Sequence, residues 1–275
     1  MPEPSEASPG RGSPVPPRPH RRILGVRVDD VTYNDALDAC ASVARQAGTG
    51  PDHSQPPRYV VTPNPEFVIL ARRTPDFAAI LEGATLAIPD GVGLMLAAHL
   101  QGQPLREQVR GTDLAYGLMA WAAANDARVF LLGAADGVAE SAAGALRRRW
   151  PRLDVAGTFA GDASPAGDHA TRAAILAAGR CDVLLVAYGA PKQERWIARN
   201  LIGLDVGIAI GVGGVLDFMA GRVRRAPALI RRAGLDWLFR LATQPSRLKR
   251  QASTLPAFAA LAVAEAVRIR LGNRD

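Results

Sequence analysis

Three apolar stretches decide the fold class: 128–133 (RVFLLG), 182–189 (DVLLVAYG) and 206–213 (VGIAIGVG). Each stretch is short, almost continuously apolar and ends in glycine. Such runs are typical of strands that are buried on both faces, as in a parallel sheet covered by helices. Four more runs are predicted as strands on the same grounds: 23–28 (ILGVRV), 58–62, 85–88 and 153–158.

Helical periodicity fills the intervals between these runs. It predicts helices at 33–46, 65–73, 92–100, 113–125, 137–150, 170–178 and 192–200. Alternating strands and helices predict an α/β fold, with a largely parallel sheet and helices on both faces, as a variant of the Rossmann-like architecture.

Composition divides the chain into three parts. Residues 1–22 are rich in Pro and Ser and hold too few apolar side chains to offset the entropy of ordering, so we predict a disordered tail. Residues 23–221 carry the strand and helix alternation and form the α/β domain. Residues 222–275 are predicted as a basic helical appendage, broken at Pro245.

The net charge of +7 is unevenly distributed. The appendage has twelve Lys or Arg against three Asp or Glu, a net charge of +9, whereas residues 23–221 carry −4 and the tail +2. This imbalance predicts an anionic partner for the appendage: phospholipid headgroups, a diphosphate or nucleic acid. The alternative is that these basic residues form the solvated face of a helix and bind no partner. An Arg-rich amphipathic helix with Trp and Phe is also typical of a membrane-surface element.

Several common sites are absent from the sequence. Cys40 and Cys181 lie far apart without paired spacing, which argues against a disulfide scaffold or zinc site and favours a reducing compartment. We expect neither a signal peptide nor a membrane span. No phosphate-loop, nucleophile-elbow or dinucleotide-binding motif is present. No Asp-x-Asp pair is available to hold a metal ion on a nucleotide diphosphate, so arginines would have to neutralise that charge.

Polar side chains follow two of the predicted strands. VVTPNPEF (60–67) places Thr62 and Asn64 after one strand, and IPDGVG (88–93) places Asp90 after the next. Asn64 and Asp90 could each cap the following helix. If the two strand ends are adjacent, these residues instead share a pocket in which Asp90 could act as a base.

Other candidate residues lie at further strand ends and helix starts. Ligands of α/β sheets bind at the carboxyl ends of strands, and helix N-termini bind phosphates, so the turns at Gly133 and Gly189 predict a nucleotide-type ligand. The Gln193 amide could form hydrogen bonds with both donor and acceptor groups of that ligand. Asp217 could accept from a sugar hydroxyl or pair with an arginine, and Arg110 could face a phosphate.

Motifs in one continuous order resemble the WecG/TagA/CpsF family of glycosyltransferases. They are VTPNPEFVILAR, IPDGVGL, RGTDL, VFLLGAADGVAESAAGALRRRWP, DVLLVAYGAPKQERWI and GVGGVLDFMAGRVRRAP, followed by GLDWLFRL and QPSRLKRQ. The resemblance runs from about Ile23 to Gln251. One departure is Asp236, where relatives commonly have Glu before the Trp, and we expect it to be harmless.

The resemblance implies an inverting, metal-independent glycosyltransferase without a cofactor. Such an enzyme moves a hexose, of the N-acetylmannosamine type or another, from a UDP-sugar to a polyprenyl-diphosphate-linked saccharide in teichoic acid, exopolysaccharide or other cell-envelope synthesis. Residues 23–221 would be the catalytic domain. The enzyme would be bacterial, cytoplasmic and bound peripherally to the anionic inner face of the plasma membrane, without a nucleic-acid partner. Whether the chain forms a homo-oligomer is left open.

The resemblance also assigns roles to residues. Asp90 is implied as the general base, Thr62 and Asn64 as pocket residues that orient the acceptor or donor sugar, and Gln193 as a residue that binds the donor. The turn at Gly133 and the helix after it are expected to contact uridine diphosphate. Three arginines of the appendage, which would close over the site, are expected to stabilise the leaving diphosphate: Arg225, Arg232 and Arg240.

Two other classes of function are left open by the residues. A nucleic-acid-binding protein would account for the Arg-rich appendage but would leave the polar strand ends without a role. An enzyme that modifies a sugar nucleotide, such as an epimerase, would use the same pocket without an acceptor.

Overall fold

The computed structural model describes residues 18–46, 56–227, 229–230, 236, 238–239 and 248–272. The strands of its main sheet are β3 (Tyr59–Val61), β4 (Leu86–Ala87), β5 (Arg128–Gly133), β6 (Asp154–Phe159), β7 (Cys181–Ala187) and β8 (Val206–Gly211). Their order is β4-β3-β8-β7-β5-β6, and every neighbouring pair is parallel. The predicted parallel α/β sheet is confirmed.

Helices connect the strands and cover the sheet. They are α1 (Tyr33–Gln46), α2 (Pro65–Arg73), α3 (Pro75–Glu82), α4 (Val92–Leu100), α5 (Gly111–Ala124), α6 (Val138–Arg149), α7 (Asp168–Ala178), α8 (Lys192–Asn200), α9 (Val215–Met219) and α10 (Leu248–Gly272). None of the described helices combines the length and the apolarity needed to cross a membrane.

Both faces of the sheet are covered, as predicted. Helices α1, α5, α6 and α9 pack on one face, and helices α2, α3, α4, α7, α8 and α10 contribute to the core on the other. Along β5, Val129 and Leu131 belong to the first core, whereas Phe130 and Leu132 belong to the second. This alternation is the period-two pattern of a strand, and it explains why both faces of these strands are apolar.

The run at 23–28 was predicted as one strand and is instead a hairpin. Strands β1 (His20–Ile23) and β2 (Val26–Asp29) pair antiparallel in a separate two-stranded sheet. Leu24 and Gly25, with φ of 50° and 88°, form the turn between them. Because β1 begins at His20, the disordered tail predicted through Arg22 is too long: pairing with β2 gives residues 20–22 backbone partners.

Helix α3 is absent from the sequence prediction. It begins at Pro75, a residue suited to the first helical position, and buries Phe77 and Leu81 one turn apart. The helix has only eight residues and follows α2 almost directly, so its periodic signal is short.

The last helix of the predicted appendage packs on the α/β domain. Helix α10 contacts α2 and α4, and it buries Phe258 and Ala262 in the same core as those helices. Glu265 Oε2 accepts a hydrogen bond from the Leu24 backbone N–H at 2.8 Å. This end of the chain therefore belongs to the core of the fold.

Candidate functional site

Asp90 and Thr62 meet at the first residue of α5. They follow β4 and β3, which are neighbouring parallel strands, so both lie at the carboxyl edge of the sheet. Asp90 Oδ2 accepts a hydrogen bond from the Gly111 N–H at 3.1 Å. A methyl group on Gly111 would lie 2.9 Å from Thr62 Cγ2 and 3.4 Å from Asp90 Oδ2. The absence of a side chain at Gly111 therefore lets both functional groups approach one backbone position.

The structure distinguishes the two residues that could have been helix caps. Asn64 caps α2, because its Oδ1 accepts hydrogen bonds from Glu66 N at 2.9 Å and Phe67 N at 3.1 Å. Asp90 does not cap its own helix: the cap of α4 is Gly91, with φ of 131° and no side-chain hydrogen bond. The Asp90 carboxylate is directed to α5 instead, which leaves it at the edge of the sheet.

Gln193 joins two strand-end turns. Its side chain is buried, and its Oε1 accepts from Gly189 N at 3.1 Å and from Gly213 N at 2.9 Å. Its Nε2 donates to Glu194 Oε1 at 2.7 Å. The amide thus holds the turns after β7 and β8 together. A direct contact between Gln193 and a donor stays a prediction.

Glu194 is a buried acid that the sequence reasoning missed. Only 1% of the residue is exposed, and its Oε2 has no hydrogen-bond partner among the described residues. Burial raises the pKa of Glu194 to about 7, and the hydrogen bond from Gln193 opposes this rise only in part. One signal could have revealed the burial: Glu194 lies three residues before the apolar Ile197, on the same side of α8.

We expect Glu194→Gln to abolish part of the pH dependence of stability. The pKa of Glu194 rises from an ordinary 4.5 to about 7 in the folded chain, so the folded state keeps a proton that the unfolded state loses. This stabilisation is complete below about pH 4.5 and is lost as the pH rises through about 7. The change in the free energy of unfolding is roughly 3 kcal/mol, measurable by urea unfolding across that range.

The matched control is Glu140→Gln, which changes an exposed acid on α6 and should leave the slope of stability against pH unchanged. Parallel slopes for the native chain and Glu194→Gln would show that Glu194 does not titrate in this range.

The N-terminus of α6 lies beside an arginine. Gly133 has φ of 96°, and a methyl group there would lie 2.9 Å from the Ala187 carbonyl carbon, so glycine is required at this close approach of two strand ends. The cap of α6 is Gly137, which makes no side-chain hydrogen bond. A methyl group on Gly137 would lie 3.6 Å from Arg222 Nη2. A helix start without a side-chain cap therefore lies close to a guanidinium, and the sequence reasoning did not single out Arg222.

Open space adjoins the neighbouring turns. At Gly189 and Gly213, whose φ values are 74° and 55°, a methyl group would contact no described residue within 4 Å. Asp217 lies in the first turn of α9, half-buried, with its Oδ2 3.7 Å from the position of a methyl group on Gly214. The carboxyl edge of the sheet thus has room for a ligand beside these residues.

Two predicted arginines lie at the first turn of α5. Arg110 Nε pairs with Asp236 Oδ2 at 2.7 Å, so the departure from the family pattern at Asp236 supplies a partner for a candidate site residue. Arg225 Nη2 pairs with Asp113 Oδ1 at 2.5 Å. Arg225 therefore lies against α5, and Arg222 is the neighbour of the α6 N-terminus. Arg232 and Arg240 lie outside the described residues.

The cysteines and the acidic residues bear on two other kinds of site, a reactive thiolate and a metal centre. Cys40 and Cys181 are fully buried, and burial raises the pKa of each thiol to about 12. Neither therefore supplies a thiolate near neutral pH. Within the described ranges, no group of three or more His, Cys, Asp or Glu side chains is arranged to hold a metal ion.

Comparison with known proteins identifies the family. The sequence model of the glycosyl transferase WecG/TagA/CpsF family matches residues 21–272, so the likeness extends beyond Gln251, where the motif resemblance ended, and includes α10. An N-acetylglucosaminyldiphosphoundecaprenol N-acetyl-beta-D-mannosaminyltransferase of Bacillus spizizenii (strain W23) is 34% identical over 71% of this chain and 75% of its own length.

A protein of the same name from Staphylococcus aureus (strain NCTC 8325) is 30% identical over 86% of this chain and 89% of its own length. The family match at residues 21–272 includes the strand-end motifs and the parallel sheet that positions them. The chain belongs to the WecG/TagA/CpsF family and is a glycosyltransferase.

Proposed function

We propose that this chain transfers a hexose, of the N-acetylmannosamine type or another, from a UDP-sugar to a polyprenyl-diphosphate-linked saccharide, with inversion and without a metal ion. The names of the relatives from Bacillus spizizenii and Staphylococcus aureus support this acceptor class and the sugar type. The observation that carries the proposal is the Asp90 carboxylate, held at the carboxyl edge of the sheet by the Gly111 N–H, beside Thr62.

In the proposed reaction Asp90 is the general base. One carboxylate oxygen takes the proton from the attacking hydroxyl of the acceptor, whose oxygen forms a bond to the anomeric carbon of the donor. The bond from that carbon to the diphosphate breaks on the opposite side, and the leaving diphosphate keeps the electron pair. A single base is sufficient for such an inverting displacement, and Asp90 later returns the proton to solvent.

The donor diphosphate is placed in this proposal at the turns after β5, β7 and β8. The N-terminus of α6 offers N–H groups without a side-chain cap, and Arg222 approaches them. Together they would neutralise charge on the leaving group, a task that a metal ion performs in other transferases. Asp217 would accept from a donor hydroxyl, and Gln193 would keep the turns at Gly189 and Gly213 in place.

The basic appendage is proposed to contact the anionic inner face of the plasma membrane. In α10, Val263, Val267 and Leu271 recur at intervals of four residues and are about half exposed: 51%, 50% and 59%. Arg268 and Arg270 are exposed on the same helix. Apolar side chains with flanking arginines suit the boundary between anionic headgroups and acyl chains.

A transfer assay tests the proposed function. The purified chain would be incubated with UDP-N-acetylmannosamine or other UDP-sugars, a short-chain polyprenyl diphosphate carrying N-acetylglucosamine, and a chelator. We expect one added sugar on the lipid, with inverted anomeric configuration and no loss of rate from the chelator.

Three results would contradict the proposal. Activity that disappears with the chelator and returns only with divalent ions would exclude the metal-independent mechanism. Conversion of the UDP-sugar without an acceptor would favour an epimerase or similar enzyme. Salt-dependent retention on DNA without binding of UDP would favour the nucleic-acid alternative.

A further inference from the structure

A cavity outside the proposed donor site lies against α5. Its volume is about 680 Å³, which is within the range typical of small-molecule sites. On α5 it is lined by Asp113, Tyr116, Gly117 and Ala120, whose spacing places them on one stripe of the helix. The stripe of Leu114, Leu118 and Ala122 packs in the core. The cavity therefore lies on the side of α5 away from the sheet.

Its position links it to Asp90. Arg110, which lines the cavity, directly precedes Gly111, whose N–H binds the Asp90 carboxylate. The cavity lining and the contact to the candidate base are therefore adjacent in the chain at the start of α5.

Three guanidinium groups line the cavity, and two of them have carboxylate partners among the described residues. Arg110 pairs with Asp236 and Arg225 with Asp113. Arg149 forms no ion pair with any described residue; its guanidinium lies 4.6 Å from the ring centre of Trp150 and 5.6 Å from that of Tyr116. An aromatic ring orients a guanidinium without cancelling its charge, because the ring has no net charge. Arg149 therefore keeps its positive charge for a ligand.

Neither acid in the cavity lining forms an ion pair with Arg149: Asp113 pairs with Arg225, and Glu107 Oε2 accepts from the neutral Tyr33 backbone N–H at 3.0 Å. A guanidinium that is oriented by aromatic rings and has no ion-pair partner among the described residues can bind phosphate oxygens in a bidentate manner, so the ligand chemistry that fits is a phosphate or diphosphate.

We propose that this cavity binds the diphosphate of the lipid-linked acceptor, with Arg149 as its main contact. This inference rests on the proposed function. The transfer reaction involves two diphosphates at once, and the strand-end turns beside Arg222 are the proposed site of the donor diphosphate. The acceptor diphosphate therefore needs a second site with an arginine available for pairing, and Arg149 supplies one in the α5 cavity.

Kinetics of Arg149→Gln test the proposal in the full-length chain. Loss of one charge-assisted contact should raise KM for the lipid-linked acceptor about 10- to 100-fold, while KM for the UDP-sugar and the turnover at saturating acceptor stay near native values. Arg148→Gln is the matched control, since it removes the same charge from the adjacent position of α6, which is exposed like Arg149 but lies outside the cavity lining. Arg149→Lys should recover part of the affinity because it keeps the charge but not the planar stacking.

Direct binding separates this proposal from the proposed function. Farnesyl diphosphate, inorganic pyrophosphate and UDP would each be titrated into the protein alone by calorimetry. We expect Arg149→Gln to lower the affinity for farnesyl diphosphate and for pyrophosphate about tenfold or more, and to leave the affinity for UDP unchanged. If the native chain bound farnesyl diphosphate through Arg149 yet transferred no sugar, the proposed function would fail and the diphosphate site would stand.

Two outcomes would overturn the inference. If Arg149→Gln and Arg148→Gln had the same KM for the acceptor and the same affinity for the diphosphates, the cavity would hold no diphosphate. A loss of UDP affinity in Arg149→Gln, with acceptor KM unchanged, would assign the cavity to the donor.

Discussion

Asp90→Asn is expected to lower the turnover of the transferase about 10²- to 10⁴-fold, the usual contribution of a general base. The substituted amide can no longer take a proton from the acceptor hydroxyl. Its carbonyl oxygen can still accept the hydrogen bond from the Gly111 N–H, so the first turn of α5 should keep its place. Rates at saturating UDP-sugar and acceptor, with thermal unfolding in parallel, measure the effect.

The matched control is Asp76→Asn, which makes the same chemical change at an exposed carboxylate in the first turn of α3. It should leave turnover near the native value. A folded Asp90→Asn variant that turns over as fast as Asp76→Asn would remove Asp90 from the role of base and leave it as a structural contact of α5.

Gln193→Ala is expected to have the largest effect on stability. Its side chain is buried and accepts from Gly189 N and Gly213 N while it donates to Glu194. Truncation leaves these three groups without that partner, at a cost of roughly 3–5 kcal/mol in the free energy of unfolding. In a domain of this size the melting temperature should fall by roughly 10 °C.

The same variant should also bind UDP more weakly, because the turns at Gly189 and Gly213 lose their shared hydrogen-bond acceptor. Gln103→Ala, at an exposed position between α4 and α5, is the control and should change stability by less than about 0.5 kcal/mol. An unchanged melting temperature in Gln193→Ala would mean that the two turns are held by other contacts.

Much of the architecture could be predicted from local patterns. The bounds of α1, α2, α4 and α8 agree with the helical periodicity, and β5 coincides with the run at 128–133. Parallel strands covered on both faces must be apolar throughout, so their runs are visible in the sequence without knowledge of their neighbours. The hairpin of β1 and β2 was missed because its turn includes Leu24, an apolar residue that continues the run.

The candidate site, too, could be predicted from local patterns only in part. The proline and glycine positions around Asn64 and Asp90 predicted polar residues at two strand ends, and the structure brings Thr62 and Asp90 together at Gly111. What the sequence could not supply was the partner of each polar group. The contact of Arg225 with Asp113 joins residues 112 positions apart, and that of Glu265 with Leu24 joins residues 241 apart.

The sequence by itself thus determined most of the strands and helices, the doubly covered sheet and the family. Only the tertiary structure decided that Gln193 ties two turns together, that Glu194 is a buried acid and that Arg149 lies over Tyr116. The physical reason is the sequence separation over which each kind of interaction acts. Periodicity and turn preferences act between residues a few positions apart, whereas burial and partner choice depend on which distant segments pack together.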